Sequence, residues 1–466
     1  MLIPHLEVKI DGAWTDLTEH GDLCALAGAS IQWGTTDITS QPEPTVMSFS
    51  LRDLDAHLAQ HPTWLTGRNV RLWFGPGHTV VFNGIIASGL QVRPLGDGWR
   101  IDATATGLMV LWKRLRDEGP AGTMSPNIAD QLHWNVKPDA RVTEMNRRAR
   151  QIGAPVIVDD MPINISSRNC ITPQIKGEYP SQLTLLHASF MDYSLPLWYE
   201  HPDDNSLRAL RIGKGALIAL DKYATPCVWV TAERKAYKAL DAGVMRSGRD
   251  FQLAEPYTGV TIKFKKLSTI GRRDQNDKIE FDVQPVEIEH TVSSTTLPQE
   301  IRDNVKNIVV DSDLLFDGPA AIPADYDDWK PFTADETELK NLIDSIATRL
   351  TPTGIVIDAD DLSDTDASRY ISPRPLAGVM IDGTNLPFDA LGPYAIIGGV
   401  ITIDARDGVT HATHEITLSP VASPIGESTI TWNDIPSAWT VTYTRADATI
   451  DYLCHTKSFL PEATAN

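Results

Sequence analysis

The sequence has little of what marks secreted, membrane-spanning or metal-binding proteins. Its 466 residues include four cysteines, no two at the spacing of a zinc or redox motif: Cys24, Cys170, Cys227 and Cys454. We therefore expect reduced, mostly buried thiols rather than a disulfide framework. No stretch approaches the roughly 18 apolar residues of a membrane helix. The first ten residues, interrupted by Glu7 and Lys9, do not match a signal peptide. These absences predict a protein made and folded in a cytoplasm.

Positive charge is also scarce, since the formal net charge is −20. A protein that binds duplex DNA normally carries the opposite sign, because affinity depends on neutralising phosphates. The charge is uneven: residues 234–273 hold ten basic and three acidic side chains, and residues 311–366 hold fifteen acidic and three basic ones. Two interpretations stay open. These are two solvated surfaces, or copies of the chain meet with the two patches facing each other.

Catalytic motifs are missing. The sequence contains no G-x-S-x-G elbow, no H-E-x-x-H helix and no glycine-rich phosphate loop ahead of a helix. His411 and His414 lie three apart, and on a strand they would face opposite sides. We expect both to be surface or half-buried histidines. The sequence thus predicts no catalytic, cofactor-binding or metal-binding residue, and no cofactor.

The segment from Asp358 to Arg369 is the best calcium candidate. Counted from Asp358, oxygen ligands fall at positions one, three, seven and nine. Position six is Ser363 instead of glycine, and position twelve is Arg369 instead of glutamate, so the EF-hand pattern fails where it is most demanding. A solvated acidic loop is the simpler interpretation, and ion binding by Asp358–Asp366 stays open.

The chain is rich in short alternating strands. Met47, Phe49 and Leu51 alternate with polar residues, which predicts a half-buried antiparallel strand, and the Pro-Glu-Pro break before it limits where that strand begins. Residues 69–74 predict another strand, and residues 80–92 a long bent one. Asp97-Gly98 predicts a hairpin turn before the alternating strand from Trp99 to Thr106. This spacing of strands favours a closed barrel or sandwich of about 110 residues.

Helical patterns follow. The first predicted helix begins at the capping residue Asp139 and ends at Gly153. Its apolar face consists of Val142, Met145, Ala149 and Ile152. A second begins at the cap Ser181 and precedes a hairpin of "PLWYEH" and "LRALRIG". Strands return from about Val260. They are interrupted by a helix at 334–350 with a capping box of Thr333 and Glu336.

The stretch "FNGIIASGLQVRPLGDGWRIDATAT" shares a layout with "AIIGGVITIDARDGVTHATHEITL" further along the chain. Each has an apolar strand with glycine, an Asp-Gly turn and a returning strand. In the second, Asp407-Gly408 takes the place of Asp97-Gly98, and Ile416 and Leu418 alternate with polar residues. A chance match of two hairpins and a duplicated barrel both remain open.

Several of these stretches resemble the minor tail proteins that form the central hub at the tip of long phage tails. They are Trp33-Gly34, "QPEPTVMSFSLRD", "VVFNGII", "IDATATGLMVLWKRL", "YPSQLTLLHASFMDYSLPLWYEH" and, from Thr429 to Val441, "TITWNDIPSAWTV". In the family the Trp-Gly pair is often followed by arginine. Here Thr35 stands instead, which puts the role of that charge in doubt.

The resemblance implies a mainly β fold with α/β insertions, in which two related β-barrel domains have mixed α/β domains between them, as in phage baseplate hubs. We therefore expect a first β-barrel domain at 1–118, a mixed α/β domain at 119–245 and a second β-barrel region at 246–420, with helix 334–350 and the acidic loop. A C-terminal extension at 421–466 completes the chain.

The resemblance also implies a homotrimeric structural protein of the virion tail tip, not an enzyme. It would join the sixfold tail tube and distal ring to the threefold tip and form part of the DNA exit channel, without specific DNA binding or membrane insertion. Its partners would be the distal tail protein ring, the tape measure protein and other tail-tip or receptor-binding proteins. The alternatives are a distal tail ring subunit, a glycan-binding or cell-wall-degrading tip protein, and a non-viral carbohydrate-binding β-protein.

Overall fold

A computed structural model describes most of the chain. The described residues are 2–18, 25–75, 77–115, 138–158, 170–171, 181–189, 196–211, 228–231, 251–253, 258–273, 279–294, 298–300, 308–316, 340, 343–344, 350–373, 375, 378–382, 394–406, 409–420, 429–430 and 450–451. No helix within these ranges is long and apolar enough to cross a membrane.

Strands dominate the described residues. The first twelve are β1 (Ile3–Ile10), β2 (Ala13–Asp16), β3 (Ala25–Gly34), β4 (Glu43–Asp53), β5 (Asn69–Gly75), β6 (Thr79–Ile86), β7 (Gln91–Leu95), β8 (Gly98–Gly107), β9 (Val156–Ile157), β10 (Cys170–Ile171), β11 (Pro196–His201) and β12 (Ser206–Arg211). The next six are β13 (Val228–Thr231), β14 (Phe251–Leu253), β15 (Gly259–Arg273), β16 (Ile279–Ser293), β17 (Ile308–Phe316) and β18 (Leu350–Pro352). The last six are β19 (Ile355–Asp358), β20 (Gly378–Asp382), β21 (Tyr394–Arg406), β22 (Val409–Pro420), β23 (Thr429–Ile430) and β24 (Ile450–Asp451).

The helices are short and few among the described residues. They are α1 (His57–Gln60), α2 (Val110–Arg114), α3 (Pro138–Ile152), α4 (Gln182–Ser189) and α5 (Asp364–Tyr370). Single 3₁₀ turns occupy Pro62–Trp64 and Ala359–Asp361. The predicted mainly β class is therefore confirmed.

One large sheet joins the two ends of the chain. Ten of its thirteen strands follow the order β13-β20-β21-β3-β4-β8-β6-β5-β1-β2. In addition, β22 pairs with β21, β19 pairs with β22, and β7 pairs with β8. The joint is the antiparallel pairing of β3 with β21, over residues 28–34 and 398–404. Within the described ranges this order has two ends and does not close into a ring. Within these ranges neither of the two expected barrels forms a closed sheet. Instead, strands β1–β8 and β19–β22 lie in one open sheet. The expected domain boundaries remain predictions.

The alternating strands fold as the sequence predicts. On β4, Met47, Phe49 and Leu51 are all buried in the main core, and on β8 so are Ile101 and Ala103. The intervening side chains of both strands are more exposed. Burying one face of each strand supplies most of its stability, at roughly 25 cal/mol for each Å² of apolar surface removed from water.

The two hairpins that share a layout differ in detail. Leu95 lies opposite Gly98, so the first turn consists of Gly96 and Asp97 and is shifted by one residue from the predicted Asp97-Gly98. In the second hairpin Arg406 lies opposite Val409, and the predicted turn residues 407–408 are outside the described ranges. The expected long strand at 80–92 is wrong, because β6 ends at Ile86 and β7 starts at Gln91. The continuous β21 has no such break.

The α/β unit packs two helices beside a small sheet, β11-β12-β9. The cap prediction for α4 is confirmed, since Ser181 Oγ accepts from the backbone N–H of Thr184 at 3.1 Å. Gly153 ends α3 with φ +72°. The predicted place of Ile152 on the apolar face is wrong, because that side chain is 42% exposed. The core contains Trp112, Met145, Leu186 and Trp198, among others.

A second sheet, β10-β17-β15-β16, holds much of the basic stretch. Lys263 Nζ lies 2.7 Å from Glu289 Oε1 on β16, and the register also places Lys265 opposite Glu287. On the other side of β15, Lys263 is level with Asp311 of β17. Opposite charges on neighbouring strands stabilise a sheet. Lys263, one member of the basic stretch, is thus paired within its own chain.

The predicted helix at 334–350 lies mostly outside the described residues. Lys340, Ile343 and Asp344 are helical and Ile343 is buried. Leu350 is not helical, because it begins β18 and pairs with Leu253 of β14. The capping pair Thr333 and Glu336 falls outside the described ranges.

Candidate functional site

Three stretches of chain that are far apart in sequence meet at one place, which we call the junction. They are the end of β3 with the loop to β4 (33–45), strand β11 (196–201) and the middle of β21 with β22 beside it (397–399 and 414). The contacts come from buried polar groups, which must find partners when they leave water. The junction is the place where the early strands of the main sheet (β1–β8), its late strands (β19–β22) and the α/β unit are held together.

The closest approach at the junction is between two glycines. Gly34 and Gly398 are opposite each other in the pairing of β3 with β21. Gly34 has φ +76°, and a Cβ added to it would lie 2.5 Å from the Cα of Gly398. A Cβ on Gly398 would lie 2.5 Å from the carbonyl oxygen of Thr35. Only glycine fits at both positions. This explains the glycine of the Trp-Gly pair.

Thr35 is part of the same turn. Its N–H donates to the carbonyl of Ile397 at 2.9 Å, and its hydroxyl donates to the carbonyl of Asp37 at 2.9 Å. The side chain is buried at 8% exposure. A charged side chain at this position would have to leave the buried site.

Trp33 is held by a histidine from the far end of the chain. Its indole N–H donates to Nε2 of His414 at 3.0 Å, and Nδ1 of His414 lies 2.9 Å from the carbonyl oxygen of Tyr370. Because an indole nitrogen only donates, these partners assign the imidazole proton to Nδ1. His414 is 1% exposed. The expectation of a surface or half-buried residue is therefore wrong for it, because the strand face on which it lies is covered by β3 and α5.

His411 fits the expectation better. It lies on the other side of the strand with its side chain 41% exposed, and its Nδ1 is 2.7 Å from Oδ2 of Asp360. The prediction that the two histidines face opposite sides is confirmed.

Tyr199 brings the α/β unit to the same point. Its hydroxyl donates to the carbonyl of Ile397 at 2.8 Å, and its ring meets Trp33 edge-on with centroids 6.3 Å apart. Complete burial raises the pKa of the Tyr199 hydroxyl well above its usual value of 10.0, so it stays a donor. Ile397 thus accepts from both Thr35 and Tyr199 through one carbonyl oxygen.

The segment around the Pro-Glu-Pro break holds the α/β unit against the main sheet. The side-chain amide of Gln41 donates to the carbonyl of Pro196 at 2.8 Å and accepts from the N–H of Trp198 at 3.2 Å. It therefore acts like one more residue of a strand beside β11. Glu43, between the two prolines, forms an ion pair with Lys113 of α2.

Glu200 completes the docking with a buried carboxylate. Oε1 accepts from the N–H of Thr45 at 2.6 Å, and Oε2 accepts from the N–H of Met109 at 2.9 Å. The carboxylate sits against Gly107, where a Cβ would clash with it. Burial raises the pKa of the Glu200 carboxyl above its usual 4.5, although the two N–H donors oppose this.

Two further buried polar atoms lie near the docking surface. Asn83 Oδ1 and His201 Nε2 line a small cavity next to Glu200, and neither has a hydrogen-bond partner among the described residues. Burial lowers the pKa of His201 to about 4, which keeps its ring neutral at pH 7. His187 on α4 is similar, with a pKa lowered to about 4 by burial.

The acidic loop is used structurally at its first residue. Asp358 is 5% exposed, and its Oδ1 accepts from the N–H of Asp360 at 2.9 Å, capping the 3₁₀ turn. Within the described ranges, no group of three or more His, Cys, Asp or Glu side chains is placed to hold a metal ion. Ion binding at 358–366 receives no support from this cap.

Sequence reasoning found the glycine and the strand of the junction but missed Gln41, Tyr199, Glu200 and His414. Each of them has a partner, a backbone group or a ring, more than 90 positions away. The one available signal was Gln41 directly before a proline, where an extended backbone is favoured.

The chain was compared with known proteins. No protein-family model matches it, and no curated protein matches it. A solved tail protein from Neisseria meningitidis MC58 is 10% identical with a TM-score of 0.46, covering 89% of this chain and 96% of that one. A 43 kDa tail protein of prophage MuSo2 from Shewanella oneidensis is 8% identical with a TM-score of 0.44, covering 89% and 98%. A type VI secretion system component of E. coli, described as similar to the T4 tail proteins gp27 and gp5, is 10% identical with a TM-score of 0.40, covering 90% and 77%.

Proposed function

We propose that this chain is a structural protein of a phage tail and that it forms the central hub of the tail tip as a homotrimer. The observation that supports this best is that short motifs resembling hub proteins meet at the junction. Trp33-Gly34, Gln41 to Thr45, Met109 and Tyr199-Glu200 all come from those motifs, and all of them make junction contacts. Residues used in this way hold a scaffold together.

In this role the chain connects the sixfold tail tube and distal ring above to a threefold tip below. The two strand-rich regions of each chain would present two similar surfaces. A trimer would then present six similar surfaces to the sixfold ring. Its partners are the distal tail ring, the tape measure protein and further tip or receptor-binding proteins, and its location is the virion tail tip after synthesis in the host cytoplasm. The chain has no catalytic role in this proposal.

The acidic character has a use in such a channel. Three chains of −20 each carry −60 together. Acidic groups on the lumen wall would repel passing DNA and prevent it from sticking. A cryo-EM structure of the assembly with a neutral or basic lumen would remove this part of the proposal.

Native mass spectrometry of the purified full chain tests the assembly. We expect a trimer, and we expect three copies per virion by quantitative mass spectrometry of particles. Six copies would instead identify a distal ring subunit. A monomer that releases soluble fragments from purified cell walls, or that binds glycans, would replace the structural role with that of a degrading or binding protein.

A further inference from the structure

Two successive turns between β4 and β5 carry a compact group of three rings. His57 starts α1, His61 follows its last residue, and Trp64 ends the next 3₁₀ turn. The ring centroids of His57 and His61 are 6.3 Å apart with an interplanar angle of 79°. His61 stacks on Trp64 at 4.7 Å and 14°, and His57 meets the same indole edge-on at 5.2 Å. Both imidazoles are exposed.

The backbone beneath these rings is firmly held. Asp53 is fully buried, and its two carboxylate oxygens accept from the N–H groups of His57 at 3.1 Å and Ala59 at 2.8 Å. Leu58 and Leu65 anchor the two turns in the main core. The backbone positions of the two histidines are therefore fixed, while their imidazoles face solvent and are accessible to a ligand.

The spacing of the two imidazoles suits a metal ion. Nitrogen ligands bind Zn²⁺ at about 2.0–2.1 Å, so two rings on one ion have centroids roughly 5–6 Å apart, depending on the angle at the metal. The observed separation of 6.3 Å lies just above that range, so the proposed site requires the two exposed rings to turn toward each other on binding. Imidazole is a preferred ligand of Zn²⁺, Ni²⁺ and Cu²⁺.

A second histidine–tryptophan group shows why proximity alone is not enough. His5 stacks on Trp73 at 3.9 Å, and His78 contacts the same indole at 4.1 Å. Nδ1 of His5 is already 2.7 Å from Oδ2 of Asp16. This group differs from the first in that one ring nitrogen is already engaged by a carboxylate. It provides a matched control.

We propose that His57 and His61 form a two-imidazole site for a divalent transition-metal ion such as Zn²⁺, Ni²⁺ or Cu²⁺. The described residues add no third His, Cys, Asp or Glu ligand to this pair. The remaining coordination positions are therefore open to water or to a donor atom from a neighbouring molecule. The site is independent of the junction and of the proposed tail role.

Isothermal titration calorimetry of the full chain with Ni²⁺ and with Zn²⁺ tests the site. We expect one equivalent to bind, and we expect His57→Gln and His61→Gln each to weaken that binding at least about tenfold, since each removes one of two ligands. The control pair His5→Gln with His78→Gln should leave the affinity unchanged. Unchanged binding in the His57→Gln/His61→Gln double variant would overturn the proposal, as would loss of binding in the control.

Fluorescence gives a second measurement at the site itself. Cu²⁺ bound by His57 and His61 lies close to Trp64 and should quench its emission in a saturable way. The quenched fraction should disappear in Trp64→Phe and in the double histidine variant, both of which alter exposed or half-buried side chains. Quenching of equal size in the wild-type chain and in Trp64→Phe would contradict a site beside this indole.

Discussion

The indole N–H of Trp33 donates to Nε2 of His414 across 381 positions of sequence. This bond and the glycine pair beside it fix the strand of one end of the chain against a strand of the other end. The contacts of the junction lead to four predictions about stability.

Replacing Trp33 by phenylalanine keeps a large ring but removes the indole donor. The buried hydrogen bond to Nε2 of His414 would then be lost, at an expected cost of about 1–3 kcal/mol in the free energy of unfolding. Urea unfolding measures this loss. Trp14→Phe, a partly exposed position, serves as control and should change stability by less than about 0.5 kcal/mol. A small effect at both positions would show that the bond contributes little.

Gly398→Ala places a methyl group where no space exists, 2.5 Å from the carbonyl oxygen of Thr35. We expect a loss of about 2–3 kcal/mol, because the pairing of β3 with β21 must open to accommodate it. Thermal unfolding of the variant is compared with that of Gly89→Ala, since a Cβ on Gly89 has no atom within 4 Å. Equal melting temperatures for the two variants would contradict the close approach.

Glu200→Gln tests the buried carboxylate. The single side-chain oxygen of glutamine can accept from the N–H of Thr45 or of Met109, but not in the same geometry from both. The amide NH₂ of glutamine would then face the other N–H group, and two donors repel each other. We expect a loss of about 1–3 kcal/mol in the free energy of unfolding. Glu200→Asp, which keeps the charge but shortens the reach, is the companion variant.

The pH dependence of Glu200 has a definite sign. Because the pKa of the folded state is raised above 4.5, the folded protein binds the proton more tightly than the unfolded chain. This contribution to stability is complete below pH 4.5 and is lost as pH rises through the folded pKa. Urea unfolding from pH 4.5 to 8 should show this decline in the wild-type chain and not in Glu200→Gln. Parallel profiles would contradict the raised pKa.

His187 and His201 act in the opposite pH range. The pKa of each is lowered from 6.5 to about 4, so the folded state favours the neutral ring. The resulting stability is complete above pH 6.5 and is lost as pH falls to about 4, at up to about 2–3 kcal/mol for each ring. His187→Gln and His201→Gln should flatten the profile between these values.

Local features of the fold could be predicted because they depend on neighbouring residues. The alternation of Met47, Phe49 and Leu51 determines which face of β4 is buried. Ser181 caps α4 by accepting from the N–H of Thr184, which is only three residues further along the chain. The break after Ile86 was missed because β6 and β7 both pair with β8. Ile86 lies opposite Ala105 and Gln91 opposite Asp102, so four residues on one side face two on β8.

The junction could be predicted only in part. The glycine of Trp33-Gly34 marks a turn, but nothing near it in sequence indicates that Gly398 is its neighbour. Glu200 resembles many other carboxylates until Thr45 and Met109 are placed around it. Alternation alone also suggested that His414 could be exposed, because the cover from Tyr370 and Trp33 comes from distant segments.

The pairing of β3 with β21 also constrains how the chain is made. A ribosome that has released β3 must still add more than 360 residues before its partner strand emerges, so for most of synthesis β3 has one unpaired edge. Contacts of such long sequence separation form slowly and leave time for association with other nascent chains. The pairing of β3 with β21 is therefore a late step of folding. A truncated product that ends before residue 398 should be prone to aggregate.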